Sequence, residues 1–168
     1  KWCLDNGITP SAMVMVDARP FNVRFAEPVV DHCKYFIASQ CDPTVFDGLP
    51  KDRTYIWHTS AELLNDILAK HYKTWYPVPG GSTVLLRAIP LFRMLGFKQF
   101  HLFGCDSCLS DNEVHHAYEQ QENDGQPIIP VNVGGKIFSC NPWMISQAQE
   151  FIDLIRMLGD EIELNIYG

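Results

Sequence analysis

The amino-acid sequence predicts an α/β fold in which helices cover both faces of a mostly parallel sheet, with a β-hairpin late in the chain. Short apolar, β-branched or aromatic runs alternate with segments of helical periodicity. Most of these runs are continuously apolar, as in strands buried on both faces. Gly134-Gly135 separates two such runs and is typical of a two-residue hairpin. A length of 168 residues fits a single domain over residues 1–168.

Each predicted strand ends where polar residues or glycines begin. The strands are expected at 12–16, 35–38, 54–57, 75–78, 100–103 and 162–166, and the hairpin joins 128–133 to 136–140. We expect right-handed crossovers between parallel strands. Ligands of such open sheets bind at the carboxyl ends of the strands.

Helical spacing of apolar residues fills most of the intervals between these strands. Ser60 is expected to cap a helix with Glu62 in its first turn, and Gly96 and Gly159 are expected to end later helices. The predicted helical segments are 23–31 (broken at Pro28), 44–49, the segment after Ser60, 82 to about 95, and 143–158. The polar segment 107–126 predicts a loop.

The composition argues against several classes of function. Acidic residues outnumber basic ones 20 to 13, and the net charge of -7 disfavours a nucleic-acid-binding protein, since such proteins present a basic face. No apolar run reaches the roughly 18 residues of a membrane span. The chain begins with Lys1 without a signal-like segment, which favours a cytoplasmic protein and a trimmed or partial chain. A homo-oligomer stays open.

The six cysteines are expected to be buried, reduced thiols, because their density is low for a disulfide-stabilised domain. Only Cys105 and Cys108 have C-x-x-C spacing, and no second pair accompanies them. The neighbouring His115 and His116 are adjacent in sequence and point in different directions. We therefore expect neither zinc nor a disulfide at this pair.

The segment Pro79-Gly80-Gly81-Ser82-Thr83 is the first candidate site. Its glycines allow a tight turn from strand to helix, and Ser82 would open the helix. The N–H groups at a helix N-terminus, aided by the helix dipole, bind phosphate or carboxylate. The sequence predicts an anion site at Gly80, Gly81, Ser82 and Thr83, with a plain glycine turn and serine cap as the alternative.

Asp17 and Asp106 each follow an apolar strand closely. Because parallel strands bring their carboxyl ends to one edge, we expect these carboxylates to lie near each other. Together they could hold Mg²⁺ against a polyphosphate, or one could bind a ribose hydroxyl. The alternative is that each caps its own loop. Ser39 and Gln40 follow the second strand and belong to the same rim.

The loop residues His116 and Tyr118 are candidates for chemistry near a phosphate site. Histidine acts as a general acid or base near neutral pH, and tyrosine can stack on a base. The alternative is a solvated loop. Arg19 and Arg87 are candidate phosphate partners, although Arg87 lies well inside a predicted helix and its alternative is a surface position.

Five short motifs together resemble those of one known family. They are Gly7-Ile8-Thr9-Pro10 before the strand that ends at Asp17, Gly80-Gly81-Ser82, Leu95-Gly96-Phe97, Leu102-Phe103-Gly104-Cys105-Asp106, and His116-Ala117-Tyr118. In this combination the chain resembles the 6-hydroxymethylpterin diphosphokinase-like family. That family includes motility accessory factors that glycosylate flagellin, and its fold is similar to that of sialyltransferases that use CMP-sialic acid.

The resemblance implies a Rossmann-like three-layer sandwich and a nucleotide-linked substrate. The positions that it implies are Gly80, Gly81 and Ser82 for the phosphate turn, Asp17 and Asp106 at strand ends, and His116. The family's earlier strand and G-x-G-P-S turn are absent before Lys1, so the domain is expected to lack an N-terminal βα unit. Residues 107–109 also depart from the family's bulkier apolar-aromatic stretch.

These patterns and the resemblance predict a transferase that moves diphosphate from ATP to a hydroxymethyl group. Mg²⁺ would bind with ATP at the sheet edge, held by Asp17 and Asp106, and His116 and Asp106 would be the catalytic residues. One alternative is a CMP-sugar-dependent glycosyltransferase, with His116 as base and less need of metal. The other is a nucleotide- or anion-binding protein without turnover, which the absent N-terminal turn favours.

Overall fold

The computed structural model describes residues 2–110 and 125–167, and the chain divides into two compact units, residues 1–91 and 92–168. The elements of the first unit are α1 (Trp2–Asp5), β1 (Ala12–Met15), α2 (Val23–Ala26), β2 (Lys34–Ala38), α3 (Thr44–Asp47), β3 (Thr54–Trp57) and α4 (Glu62–His71). Helix α5 (Val84–Met94) begins in the first unit. The elements of the second unit are β4 (Gln99–Phe103), β5 (Ile129–Val133), β6 (Lys136–Cys140), α6 (Pro142–Leu158) and β7 (Glu163–Tyr167).

A parallel sheet of order β1-β2-β3 organises the first unit. Val14 pairs with Phe36, and Ile37 pairs with Ile56. Four of the five residues of β2 are buried, which explains why its sequence is continuously apolar. The predicted parallel pairing of the first three strands is confirmed, with strand bounds shifted by one residue or less.

The core of the first unit includes side chains from β2 and from the segments that follow the sheet strands. Nearly inaccessible side chains are Tyr35, Ile37, Val45, Val78 and Ile89. The buried Tyr35 hydroxyl accepts a hydrogen bond from the Val30 N–H at 2.7 Å, so its polar end is satisfied. These buried side chains form part of the core that supports the end of β3 and the start of α5.

The second unit contains a parallel strand pair and a hairpin. Strands β4 and β7 run parallel, with Gln99 opposite Glu163 and Phe103 opposite Tyr167. Strands β5 and β6 pair antiparallel around Gly134 and Gly135, whose φ values of 60° and 88° suit a tight two-residue hairpin turn. The predicted late hairpin is confirmed.

A small core lies at the base of this hairpin. Leu109, Cys140 and Met144 are buried together, and Val131 and Phe138 are among the residues that pack against them. The Leu109 N–H donates to the Ser139 carbonyl at 2.8 Å, which fixes the segment after β4 along β6. The start of the predicted 107–126 loop is thus anchored.

Three predictions about the extent of these elements were wrong. Helix α2 ends at Ala26 because Glu27, before Pro28, takes an extended conformation. The cap position of α4 is Ala61 and not Ser60, whose backbone still pairs with Val78 beyond the end of β3. The predicted strand 75–78 is reduced to one bridge between Thr59 and Val78. None of the helices in the described ranges combines the length and apolar character needed to cross a bilayer.

Candidate functional site

Polar residues follow each strand at the carboxyl edge of the three-stranded sheet. Asp17 lies two residues beyond β1, Ser39 and Gln40 directly follow β2, and His58 and Thr59 directly follow β3. Because the three strands are parallel, all five residues, here called the sheet-edge cluster, follow the same edge. This is the edge at which open α/β sheets bind ligands.

Asp17 is paired with Arg19. The Arg19 Nε donates to both carboxylate oxygens of Asp17 at 3.0 and 2.8 Å, and its Nη2 also bonds to Oδ2. Hydrogen bonds from the Arg19 side chain lower the pKa of Asp17 to about 2, below the ordinary 3.8. Burial acts in the opposite direction, and the Arg19 backbone N–H lowers the pKa further. Asp17 is therefore ionised at neutral pH and orients a guanidinium at the end of β1.

Two aromatic contacts extend this cationic feature. The Arg19 guanidinium lies 4.8 Å from the centre of the Phe21 ring, and that of Arg24 lies 4.9 Å from the same ring. Stacking on a ring restricts the guanidinium and leaves its edge for hydrogen bonding. Both guanidinium groups therefore lie between the end of β1 and the end of α2, and that of Arg19 is paired with Asp17.

Cys41 shows that Asp17 lies near the end of β2. Burial raises the pKa of the Cys41 thiol to about 11, and the negative charge of Asp17 contributes to the rise. The thiol is thus protonated at neutral pH and unsuited to act as a nucleophile. The contribution of Asp17 also supports the grouping of the sheet-edge cluster.

Two hydrogen bonds tie the end of β2 to the end of β3. Ser39 Oγ and His58 Nδ1 lie 2.8 Å apart, and the Thr59 hydroxyl donates to Gln40 Oε1 at 2.7 Å. The sequence predicts Ser39 and Gln40 as site residues, whereas His58 was expected to be structural, like His32, His71 and His101. Its position directly after an apolar strand is the one signal that could have singled it out.

A cleft of about 480 Å³ opens beside this pair of strand ends. We call it the α4 cleft. Its lining residues are Ser39, His58, Leu64, Ile67, Leu68, His71 and Tyr72. The rings of His58 and Tyr72 are 5.9 Å apart and tilted by 51°. The α4 side of the cleft is therefore mostly apolar, with His71 at its end, and the strand-end side carries the Ser39 hydroxyl and the His58 imidazole.

The glycine turn, residues 79–83, adjoins the same edge through Val78. The Val78 N–H donates to the His58 carbonyl at 2.8 Å, and the Val78 carbonyl accepts the Ser60 N–H at 2.8 Å. These two hydrogen bonds form a one-residue parallel bridge between Val78 and Thr59, just beyond the end of β3. The glycine turn therefore begins directly after Val78, whose backbone is hydrogen-bonded to His58 of the sheet-edge cluster.

Gly80 is required by the way this turn meets α5. It has a φ of +130°, and a Cβ at this position would lie 2.1 Å from the Leu86 carbonyl oxygen. Pro90 lies four residues after Leu86 and has no N–H, so it cannot give that carbonyl the usual helical hydrogen bond. Gly80 therefore packs against a carbonyl left out of the helix ladder at that point.

The start of α5 is capped by Thr83 and not by Ser82. The Leu86 N–H donates to Thr83 Oγ1 at 3.2 Å, which is the usual N-cap arrangement for a helix beginning at Val84. Thr83 and the exposed Ser82 both lie at the positive end of the helix dipole.

Arg87 holds the turn in place. Its Nε donates to the Gly81 carbonyl at 2.8 Å, and its Nη1 donates to the Val78 carbonyl at 2.9 Å. Since a trans peptide points its C=O and N–H to opposite sides, the Ser82 N–H points away from Arg87. Arg87 therefore positions the backbone of the turn, which the surface alternative does not describe, and its contact with a phosphate stays a prediction.

The remaining candidates lie in or after the second unit. Asp106 is exposed and lies three residues beyond β4. Burial raises the pKa of the Cys105 thiol, and the negative charge of Asp106 raises it further. Asp17 and Asp106 belong to different units, and their approach stays a prediction. His116 and Tyr118 lie outside the described residues. Within 2–110 and 125–167, no three His, Cys, Asp or Glu side chains form a group that could hold a metal ion.

The fold and the sheet edge define the class: an α/β protein with a polar cluster and a glycine turn at the carboxyl edge of a parallel sheet. Residues 1–112 match the model of the family described as 6-hydroxymethylpterin diphosphokinase MptE-like, and the chain belongs to this family. The matched segment contains Asp17, the glycine turn and Asp106, and it ends before His116. No curated protein and no solved structure matches the chain.

Proposed function

We propose that this protein is a nucleotide-dependent transferase that moves diphosphate from ATP to a hydroxymethyl group on a heteroaromatic acceptor. The acceptor hydroxyl oxygen forms a bond to the β-phosphorus of ATP. The bond from that phosphorus to the oxygen bridging to the α-phosphorus breaks, and AMP leaves with the electron pair. The hydroxyl proton passes to a base, for which His116 is the candidate. Positioning and electrostatic stabilisation supply most of the catalysis in such a step.

One observation carries this proposal: the sheet-edge cluster and the glycine turn are connected through the Val78 backbone in one unit. A polyphosphate needs cationic or N–H groups along its length. Arg19 supplies positive charge after β1, and the N-terminus of α5 supplies a positive dipole end after the turn. The family match to a diphosphokinase-like description agrees with this chemistry.

The proposed contacts follow from these positions. Gly81, Ser82 and Thr83 offer backbone N–H groups to a phosphate, and Gly80 makes the turn that presents them. For the rest of the nucleotide we propose polar contacts at Ser39 and Gln40 of the sheet edge, and Tyr118 is a candidate from the sequence alone.

The place of Mg²⁺ depends on Asp17 and Asp106. Both oxygens of Asp17 accept hydrogen bonds from Arg19, so a metal ion would share this carboxylate with the guanidinium or displace it. Asp106 is exposed and is the better-suited ligand of the two. When bound, Mg²⁺ would neutralise phosphate charge, and Asp17 would either exchange its partner or keep Arg19 oriented toward the phosphates.

Calorimetric titration of ATP tests the proposal, with Mg²⁺ and with a chelator. Incubation with ATP and 6-hydroxymethylpterin should then release AMP, detected by chromatography, together with the diphosphorylated pterin. Gly80→Val should weaken ATP binding at least tenfold. The control Gly7→Val also replaces a glycine with positive φ, but at a position where a Cβ meets nothing within 4 Å. Absence of ATP binding by the wild-type chain would overturn the proposal.

A CMP-sugar-dependent glycosyltransferase is the second candidate, and the Asp17–Arg19 pair favours it. A carboxylate already bound to a guanidinium makes metal-independent binding of a nucleotide easier to explain. Binding of CMP that is equal with Mg²⁺ and with chelator, together with weak ATP binding, would support this candidate. ATP binding without AMP release would support the nucleotide-binding protein without turnover.

A further inference from the structure

We infer that the α4 cleft binds the planar nitrogen-containing ring of the substrate, either the adenine of ATP or the ring of the acceptor. This inference rests on the proposed function and assigns one part of the substrate to one place in the first unit. Neither the glycine turn nor Asp17 belongs to this cleft, whose lining is formed by the ends of β2 and β3 and by α4 with the residue after it.

The two sides of the cleft match the two chemical surfaces of such a ring. Leu64, Ile67 and Leu68 lie on α4 at helical spacing and present an apolar wall that suits the face of a ring. Ser39 and His58 present a hydroxyl and an imidazole that suit the polar edge of a ring. A volume of about 480 Å³ falls within the range of small-molecule pockets, roughly 300–1,000 Å³.

The Ser39–His58 hydrogen bond orients the imidazole. When Ser39 donates to Nδ1 of the neutral imidazole, Nε2 carries the ring N–H and is a donor; when Nδ1–H donates to Ser39, Nε2 is an acceptor. In both tautomers Nε2 can form a hydrogen bond to the polar edge of a planar ring. Tyr72, 5.9 Å from His58 between ring centres, adds an aromatic surface on which a planar ligand can stack.

The distance to the glycine turn suits one ligand with a ring and phosphates. His58 lines the cleft, and its carbonyl is bonded to the Val78 N–H at 2.8 Å. Val78 and Ser82 are four residues apart, so they are separated by at most about 14 Å even in a fully extended chain. A ring in the cleft and phosphates at the turn can therefore belong to one molecule.

Saturation-transfer NMR with compounds that lack phosphate tests the cleft apart from the turn. The probes are adenosine and 6-hydroxymethylpterin, and pyrophosphate, which has no carbon-bound proton for this experiment, is titrated by calorimetry as the phosphate-only control. Ile67→Asp places a charge on the apolar wall, and Leu63→Asp is its matched control, because Leu63 is 75% exposed on the same helix and does not line the cleft. Circular dichroism verifies folding of both variants.

We expect the wild-type chain to bind adenosine or 6-hydroxymethylpterin, and the probe that binds identifies which ring occupies the cleft. Ile67→Asp should weaken that binding at least tenfold, Leu63→Asp less than twofold, and neither should change pyrophosphate binding. If Ile67→Asp does not fold, Tyr72→Ala, with Tyr76→Ala as its exposed control, serves the same comparison.

Equal effects of the two aspartate variants, or no binding of either ring compound, would overturn the inference. ATP would still bind through its phosphates in that case if the proposed function is right. Loss of ATP and pyrophosphate binding together with intact ring binding would instead contradict the proposed function and leave the cleft assignment standing.

Discussion

Replacing Gly80 with alanine should destabilise the protein through two separate effects. A Cβ at this position lies 2.1 Å from the Leu86 carbonyl oxygen, and a contact of 3.0 Å requires one of them to move by 0.9 Å. Since Leu86 is buried in α5, we assign about 2 kcal/mol to this displacement, as for an overpacked core. The φ of +130° adds about 1–3 kcal/mol for an L residue.

Urea denaturation followed by circular dichroism measures the sum, expected at about 3–5 kcal/mol. Gly7→Ala is the matched control, because Gly7 has a φ of +74° with nothing within 4 Å of a Cβ. The control should lose only the conformational part, about 1–2 kcal/mol. Equal losses of unfolding free energy in the two variants would show that the contact with the Leu86 carbonyl contributes nothing.

Three further predictions concern charged residues. Because pairing lowers the pKa of Asp17 from 3.8 to about 2, it stabilises the protein above about pH 4 and is lost as the pH falls toward 2. Asp17→Asn, at a side chain 35% exposed, should therefore cost about 1 kcal/mol in urea denaturation at pH 7 and less at pH 3; a pH-independent loss would contradict this. Arg87→Lys keeps the charge but cannot hold both carbonyls at once in the same way, so ATP affinity by calorimetry should fall several-fold, and an unchanged affinity would refute the positioning role. Asp106→Asn should weaken ATP binding with Mg²⁺ present but not with chelator, and an equal loss in both would exclude a metal role.

The sequence was sufficient to predict strands whose apolar character is continuous. Strand β3 and strand β6 have the predicted bounds, because a polar residue directly follows each of them, His58 after β3 and Asn141, the N-cap of α6, after β6. The segment 75–78 misled for a physical reason. Pro77 and Pro79 flank Val78 and have no N–H groups, so this apolar segment can form only a single bridge.

The candidate site could be predicted only where its signal is local. Asp17, Ser39 and the glycine turn stand at strand ends that the sequence marks. His58 was expected to be structural and Arg87 was a candidate phosphate partner, and the observed contacts of both depend on partners elsewhere in the chain. His58 bonds to Ser39, 19 residues earlier, and Arg87 bonds to the Val78 carbonyl nine residues earlier, which no spacing rule for helices anticipates.

Pro90 links the binding of an anion at the glycine turn to the local stability of α5. Because Pro90 has no N–H to donate, the Leu86 carbonyl on the first turns of α5 lacks its usual helical hydrogen bond. Gly80 packs against this carbonyl. Arg87 binds the turn from the same helical segment. A ligand that orders the turn therefore also suppresses local opening of α5, and amide hydrogen exchange at Ile89 and Leu91 should slow with ligand although both side chains are buried away from it.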